Sequence, residues 1–257
     1  MILKKSPEEI DKVAAAGEIL VKTLSLVQGK IRPGVTTAEL DAAAEAFIRS
    51  RGAEPAFKGY RGFPGSICTS PNDMVVHGIP GKFKLSRGDS LSVDIGVVLD
   101  GWVADAARTF PVGEVTPVAA KLLEVTEASL FKAVEQCRVG NRLGDVSHAV
   151  QDHVESEGFS IVRSLVGHGI GRSMHEEPQI PNYGPPGRGV PLEEGMVLAV
   201  EPMVTAGRHM VRMGDDGWAI YSQDGSLAAH FEFTVAITAS GPRILTPWHE
   251  SKARAAA

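Results

Sequence analysis

An internal repeat constrains the fold of this 257-residue chain more than any other feature of its sequence. One copy begins at Ile31-Arg-Pro-Gly-Val and the other at Cys137-Arg-Val-Gly-Asn, and arginine, glycine, acidic, aliphatic and serine positions then recur in register. Farther along, Val76-His77-Gly78-Ile79 is echoed by Gly167-His168-Gly169-Ile170. Each match is weak by itself, but matches that recur in one order indicate a duplicated unit.

A further match adds carboxylates to the repeat. The segment Gly88–Asp94 aligns with Gly195–Glu201, so an apolar strand ends on an acid in both copies. Each half also has a second acid on a later strand, Asp105 in the first and Glu232 in the second. The repeat therefore predicts two similar halves, related by a pseudo-two-fold axis, that bring these acids to one place.

The composition is typical of a globular protein, with 43% hydrophobic and 22% charged residues. We predict a single domain over residues 1–250, with the halves at about 10–112 and 113–240, and a disordered tail over 251–257. The formal net charge of −5 provides no general basic field for binding nucleic acid.

The sequence has the features of a cytoplasmic protein. No segment approaches the roughly 20 apolar residues of a membrane-spanning helix. The charged segment 1–9 lacks the apolar stretch of a signal peptide. The two cysteines, Cys68 and Cys137, do not suggest a disulfide framework. We therefore expect a reducing cytoplasmic location and no membrane contact.

Four helices are predicted from capping signals and apolar periodicity. Ser6-Pro-Glu-Glu reads as an N-cap, a proline at the first helical position and a capping-box glutamate. Further helices are expected to begin near Thr36 and at Thr116-Pro117, and a fourth is expected over Val146 to Val154.

Strand signals lie between and after these helices. Asp100-Gly101 and Asp224-Gly225 are typical two-residue hairpin turns. The predicted strands are Leu91–Leu99, Trp102–Phe110, Val197–Val200, Trp218–Gln223 and Ser226–Ile237. Helices with antiparallel hairpins predict a mixed α+β fold, with helices covering antiparallel sheets.

The first hairpin places two acids on one face. If Asp100-Gly101 is the turn, counting back sets Gly96 opposite Asp105, and Asp94 then points to the same side as both. The two carboxylates become diagonal neighbours, roughly 7–8 Å apart at the backbone. Gly96 has no side chain to fill the gap between them, so we expect a proton or a cation there.

Acids in such apolar surroundings are not ordinary solvated side chains. A single aspartate in a strand is usually solvent-exposed, but Asp94 and Asp105 lie among valines and alanines, and Glu201 and Glu232 lie in equally apolar segments. Unpaired buried carboxylates are costly. Together with His168 they suit two divalent ions that share bridging carboxylates, with Mn, Fe or Co favoured and Zn acceptable.

Several motifs resemble one family along nearly the whole chain. They are Ser66-Ile-Cys-Thr-Ser-Pro-Asn-Asp-Met-Val-Val-His-Gly-Ile-Pro80, Ser92-Val-Asp-Ile-Gly96, Gly167-His-Gly-Ile-Gly171, Met174-His-Glu-Glu-Pro178 and Val200-Glu-Pro-Met203. In order and spacing they resemble the type I methionine aminopeptidases. The resemblance implies the pita-bread fold and removal of the initiator methionine from nascent chains whose second residue is small. It also implies two divalent metal ions held by Asp94, Asp105, His168, Glu201 and Glu232, with Asp105 and Glu232 bridging.

The same resemblance implies three catalytic roles. Glu201 would accept a proton from the attacking water. His175 would hydrogen-bond the scissile peptide and stabilise the tetrahedral intermediate. His77 would contact the substrate amide and assist proton transfer to the leaving group. Taken alone, each histidine is more often an ordinary loop residue, and only the matched motifs favour the catalytic interpretation.

A slot for the methionine side chain is implied at Tyr60, Phe63, Cys68 and Trp218, although each of these residues could equally be core packing. A lining of rings and a thiol suits a flexible thioether. Cys68 is a pocket residue here and not a nucleophile. Met174 stands where many relatives have phenylalanine, which affects the shape of the pocket.

Three other kinds of protein that share this fold are alternatives to the type I methionine aminopeptidases. A prolidase or aminopeptidase P shares the fold and ligands, but usually has a large additional N-terminal domain. A non-catalytic relative that binds ribosomes or nucleic acid would have lost ligands, whereas all five are present. A type II methionine aminopeptidase would need an insertion for which the second half has no room. The expected partners are nascent polypeptide N-termini, and transient contact with the ribosome would be compatible with this role. We expect a monomer.

Overall fold

Capping signals place the helices. The computed structural model describes residues 1–250, which contain four α-helices: α1 (Pro7–Gln28), α2 (Thr37–Ser50), α3 (Pro117–Gln136) and α4 (Leu143–Ser156). At α1 the Ser6 hydroxyl accepts the Glu9 backbone N–H, and the Glu9 carboxylate accepts the Ser6 N–H, which completes the predicted capping box.

The fourth helix is longer than predicted. It begins at Leu143 instead of Val146 and ends at Ser156 instead of Val154. The Arg142 backbone N–H donates to the Asp145 carboxylate over 2.7 Å. This bond caps the helix one turn earlier than the apolar periodicity indicated.

The strands of residues 1–250 form four sheets, and every pairing within them is antiparallel. They are β1 (Glu54–Pro55), β2 (Cys68–Pro71), β3 (Met74–Val76), β4 (Ser90–Leu99), β5 (Trp102–Pro111), β6 (Ser160–Ile161), β7 (Gly167–Gly169), β8 (Glu176–Ile180), β9 (Val197–Val200), β10 (Met203–Thr205), β11 (Val211–Met213), β12 (Ile220–Ser222), β13 (Ala228–His230), β14 (Phe233–Thr238) and β15 (Gly241–Ile244). A short 3-10 turn covers Tyr60–Gly62. The predicted mixed fold with antiparallel sheets is confirmed.

The first hairpin has the predicted register. Leu99 pairs with Trp102 and Gly96 with Asp105. Asp100 and Gly101 both have positive φ, 49° and 76°, which matches the right-handed twist of the flanking strands. Most of β4 and β5 is buried, with α1 packed across both strands.

The prediction of one strand over Ser226–Ile237 is wrong, because the structure has two strands there, β13 and β14, which Phe231 and Glu232 separate. Strand β13 pairs with β10, whereas β14 joins the sheet of β9. The partner segment breaks at the same level, between β9 and β10, where Pro202 has no N–H for the ladder. The Glu232 backbone N–H instead donates to the carbonyl of Ala107.

The second predicted hairpin is also wrong. Strand β12 begins at Ile220, so Trp218 lies before it, and it pairs with β11 and β3 instead of β13. Asp224-Gly225 therefore turns the chain between two sheets. The Asp224 carboxylate accepts the backbone N–H groups of Arg208 and Ser226 there, which favours a loop.

Matched contacts anchor the second helix of each predicted half. Thr36 forms an isolated bridge with Lys84, and Arg142 forms one with Pro191. These contacts support the duplication, while the boundaries 10–112 and 113–240 stay a prediction. The predicted tail, 251–257, lies outside the described residues, and within residues 1–250 no helix is long and apolar enough to cross a membrane.

Candidate active site

One cavity, of about 290 Å³, contains all the residues that the sequence predicted for the site. They come from both halves and from loops as well as strands. The predicted residues that line it are Tyr60, Phe63, Cys68, His77, Asp94, Asp105, His168, His175, Glu201, Trp218 and Glu232. The fold therefore brings together residues that are up to 172 positions apart (232 − 60).

Four acids form the floor of the cavity. Asp94 lies in β4 and Asp105 in β5, while Glu201 follows β9 and Glu232 lies between β13 and β14. Asp94, Asp105 and Glu232 are at most 9% exposed. Oδ1 of both aspartates and Oε1 of Glu232 are buried and have no hydrogen-bond partner among the described residues.

An imidazole completes this cluster. His168 lies in β7, and its Nδ1 is 3.0 Å from the carbonyl oxygen of Gly169. That contact leaves Nε2 facing the cavity, 3.5 Å from Oε1 of Glu201. Donor atoms of Asp105, His168 and Glu232 all lie within 4.8 Å of one another, which is close enough for one ion to contact all three.

The electrostatics favour a bound cation. Burial raises the pKa of Asp94 to about 7. Burial, and then the neighbouring Glu232 and Asp94, raise the pKa of Asp105 well above its ordinary value. The pKa values of Glu201 and Glu232 are raised in the same way, by burial and nearby acids. Burial lowers the pKa of His168 to about 4, so its ring is a neutral donor. Oxygen donors of this kind, with one neutral imidazole, fit divalent metal ions.

Two histidines stand on the walls above the acids. His175 Nδ1 is 2.8 Å from the Tyr60 hydroxyl, and the two rings stack. Burial lowers the pKa of His175, with Arg61 adding to the effect. His77 follows β3 with a φ of 60°, and its pKa is also lowered by burial.

Aromatic rings and a thiol form one side of the cavity. Phe63 and Trp218 meet edge to face, with ring centroids 5.1 Å apart. Cys68 pairs with Asp94 across β2 and β4 and is buried. Burial and the nearby Asp94 raise the pKa of the Cys68 thiol well above its ordinary value, so it stays protonated and is a poor nucleophile.

Side chains from outside the hairpin lie over Gly96, while the proton or cation expected between Asp94 and Asp105 stays a prediction. A Cβ on Gly96 would lie 2.8 Å from both Met174 Cε and a ring carbon of Phe57. Gly96 therefore admits side chains from outside the hairpin, and Met174 and Phe57 both line the cavity. Local sequence patterns do not indicate this contact, because Met174 is 78 positions from Gly96 (174 − 96).

Sequence reasoning missed one buried histidine of the cavity. His230 is 2% exposed, and neither of its ring nitrogens has a hydrogen-bond partner among the described residues. Its Nε2 is 3.8 Å from Oε2 of Glu201, and burial lowers its pKa to about 3. The signal was its position two residues before Glu232, which is on the same face in a strand.

Comparison with known proteins agrees with this geometry. The sequence profile of metallopeptidase family M24 matches residues 11–239. The chain is 55% identical to a methionine aminopeptidase of Clostridium acetobutylicum over 96% of its own length and 99% of that protein. It superimposes on a methionine aminopeptidase structure from Thermotoga maritima with a TM-score of 0.94 and 46% identity, covering 96% and 99% of the two chains.

A prolidase structure from Pyrococcus horikoshii is less similar, with a TM-score of 0.78 and 25% identity. The superposition covers 96% of this chain but 64% of that protein. The fold, the acidic cavity and the profile together define a metal-dependent peptidase, and the chain belongs to metallopeptidase family M24. Within that family it groups with the type I methionine aminopeptidases, and it has the pita-bread fold that they share with prolidases.

Proposed function

We propose that this enzyme removes the N-terminal methionine from nascent polypeptides whose second residue is small. The observation that carries the proposal is the single cavity in which a cluster of buried acids adjoins an aromatic slot. The acids would hold the metal ions that assist hydrolysis, and the aromatic slot would select one apolar side chain. The similarity to methionine aminopeptidases over nearly the whole chain supports the same substrate class.

Five side chains would hold the metal: Asp94, Asp105, His168, Glu201 and Glu232. The unpartnered buried oxygens of Asp94, Asp105 and Glu232 and the raised pKa values of the four acids fit two divalent ions, which Asp105 and Glu232 would share. Cobalt, manganese, iron and zinc all suit these donors. When bound, such ions polarise the scissile carbonyl and make the attacking water more acidic.

Glu201 accepts the proton of the attacking water in this proposal. Its carboxylate lies between two imidazoles, with Oε1 facing His168 and Oε2 facing His230. Both rings are neutral at pH 7, because burial lowers their pKa values to about 4 and about 3. Neither ring therefore forms a full ion pair with Glu201. The Glu201 carboxylate remains available as a base once the four acids are ionised.

His175 stabilises the charge that develops on the scissile carbonyl. Its lowered pKa keeps the ring neutral. The proposed role requires the tautomer in which the Tyr60 hydroxyl donates to Nδ1 and the proton resides on Nε2. A neutral imidazole held in this way donates one hydrogen bond towards the cavity. His77 lies on the wall of the same cavity, where it contacts the substrate amide and assists departure of the leaving amine.

The methionine side chain occupies the slot formed by Tyr60, Phe63, Cys68 and Trp218. Phe63 and Cys68 are nearly fully buried, and the edge-to-face contact with Trp218 fixes one wall. A thioether packs well against ring edges. We expect the enzyme to act in the cytoplasm as a monomer on nascent polypeptide N-termini, where transient ribosome contact would give access to the substrate.

Hydrolysis of Met-Ala-Ser and of an Xaa-Pro dipeptide tests the proposal. The protein is stripped with a chelator and reconstituted separately with Mn²⁺, Co²⁺, Fe²⁺ and Zn²⁺. We expect no cleavage without metal and release of methionine from Met-Ala-Ser with at least one ion. Cleavage of Xaa-Pro without cleavage of Met-Ala-Ser would contradict the methionine assignment and favour the prolidase alternative.

A further inference from the structure

A buried ion pair connects the segment before α1 to the wall of the active site. Lys5 Nζ lies 2.5 Å from Oε2 of Glu176, and the two side chains are only 4% and 6% exposed. In the ion pair of the adjacent lysine, Lys4 with Glu193, the side chains are by contrast 52% and 47% exposed. Burying two charges in this way is costly unless their hydrogen bonds are satisfied.

The pair is held by further hydrogen bonds. Lys5 Nζ also donates to the carbonyl of Leu3 over 3.0 Å. Oε1 of Glu176 accepts the backbone N–H groups of Arg172 and Ser173, over 2.8 and 3.2 Å. Glu176 therefore uses one oxygen for the lysine and the other for the loop that precedes it. Such a network fixes one arrangement more firmly than an isolated contact does.

Gly171 makes room for this arrangement. A Cβ on Gly171 would lie 2.4 Å from Lys5 Cε and 3.1 Å from both Lys5 Nζ and Glu176 Oε1. The Lys5 backbone N–H also donates to the carbonyl of Gly195, just before β9, which leads to Glu201. The N-terminal segment is thus tied to two elements of the catalytic cavity.

The loop 171–175 carries Met174 and His175 into the cavity. Glu176 follows His175 directly, so its position sets where the His175 backbone lies. We propose that the Lys5–Glu176 ion pair is a positioning device that holds His175 in the orientation needed for catalysis. This inference rests on the proposed role of His175, and Lys5 is not one of the residues that line the cavity.

Lys5→Met tests the inference, because methionine is close in size and has no charge. The matched control is Lys4→Met: Lys4 is the adjacent lysine, and its ion pair with Glu193 is about half exposed. We expect Lys5→Met to lower kcat for Met-Ala-Ser by roughly 10–100-fold, since a misplacement of about 1 Å can cost that much. KM and the affinity for Mn²⁺, measured by calorimetry, should change by less than about threefold. Lys4→Met should match the wild type.

A double-mutant cycle separates positioning from general loss of structure. In a His175→Ala background, Lys5→Met should cause almost no further loss of kcat, because its effect acts through His175. An equal loss in both backgrounds would overturn the inference, as would an unchanged kcat in folded Lys5→Met.

A variant without either charge guards against misfolding. If Lys5→Met does not fold, Lys5→Met/Glu176→Gln removes the unpaired carboxylate and keeps an oxygen for the loop N–H groups. The same loss of kcat and the same dependence on His175 are expected for it, and wild-type kcat in this variant would overturn the inference. Failure of the wild-type enzyme to cleave Met-Ala-Ser would instead reject the proposed function, whatever the variants do.

Discussion

The two halves supply equivalent strand pairs to the cavity but place different side chains on them. In the first half, Asp94 lies opposite Ala107 and Gly96 opposite Asp105, in a hairpin that is continuous. Both acids are therefore in the interior of long strands, where backbone hydrogen bonds on either side fix their positions. Short aspartate side chains are sufficient there.

In the second half, the corresponding strand pair is interrupted at the level of its two acids. Val200 pairs with Phe233 and Met203 with His230, so Glu201 and Glu232 face each other where no ladder is formed. Both acids of this half are glutamates, which have a longer reach. The difference indicates that side-chain length compensates for a backbone that leaves the ladder at the cavity.

Threonines at the junction reveal which residues are equivalent. The Thr234 hydroxyl donates to the Asp105 carbonyl and accepts the Asp105 N–H. The Thr109 hydroxyl makes the same two bonds with the backbone of His230. Asp105 therefore corresponds to His230, and not to Glu232, in the pseudo-two-fold relation. The position that Asp105 occupies in the first half is therefore occupied by a neutral imidazole in the second.

Removing the first-half acid at this position should have the largest effect. We expect Asp105→Asn to lower kcat/KM for Met-Ala-Ser by roughly a thousandfold, because several kcal/mol of metal-assisted stabilisation are lost. The measurement is steady-state hydrolysis at saturating Mn²⁺. Activity within tenfold of the wild type would contradict a bridging role.

Thermal unfolding of the metal-free protein provides a control for folding. The pKa of Asp105 is raised in the folded state. Its carboxyl therefore destabilises the folded state increasingly as the pH rises above the ordinary aspartate pKa of about 4. Asparagine does not titrate. Metal-free Asp105→Asn should therefore be more stable than the wild type at pH 7, and this difference should shrink towards pH 4.

The sequence predicted the first half of the site better than the second. The turn Asp100-Gly101 determines the register of a two-residue hairpin, so the relation of Asp94 to Asp105 followed by counting. The break before Glu232 could not be found in this way, because Phe231-Glu-Phe-Thr-Val reads as a continuous strand. It results from tertiary pairing with β10 and β9, which local patterns do not encode.

Long-range polar contacts were also beyond sequence reasoning. Lys5 and Glu176 are 171 positions apart, and neither lies in an apolar pattern that would suggest burial. The catalytic motifs were recognisable because they are local runs, whereas the ion pair behind them depends on the folded arrangement. His230, by contrast, stands two residues before Glu232, a spacing that does place both side chains on one face of a strand.

Exchanging acid lengths tests whether each half needs its own side chain. Asp94→Glu and Glu201→Asp should each lower kcat/KM by roughly 100-fold, because a displacement of about 1 Å is expected. The double exchange should not restore activity, since the two acids stand on different backbones. Calorimetric titration with Mn²⁺ should show weaker binding in each variant. Full activity in the double exchange would mean that the halves are interchangeable.

The smallest effect is expected from the second-half counterpart of Asp105. His230 Nε2 lies 3.8 Å from Oε2 of Glu201, and a shift of about 1 Å would bring the two atoms to hydrogen-bonding distance. We expect His230→Leu to lower kcat by about tenfold, as is typical when a partner that orients a ligand is removed. His230→Gln should recover part of the loss, and His209→Gln, at an exposed histidine, should have no effect.

The pH dependence distinguishes orientation from charge in this case. Burial lowers the pKa of His230 to about 3, so the ring is neutral throughout the range from about pH 5 to 8. The ratio of wild-type to His230→Leu activity should therefore stay constant over that range. A ratio that changes with a midpoint near pH 6 to 7 would show that a charged imidazole takes part, and the second half would then supply a cation where the first supplies an anion.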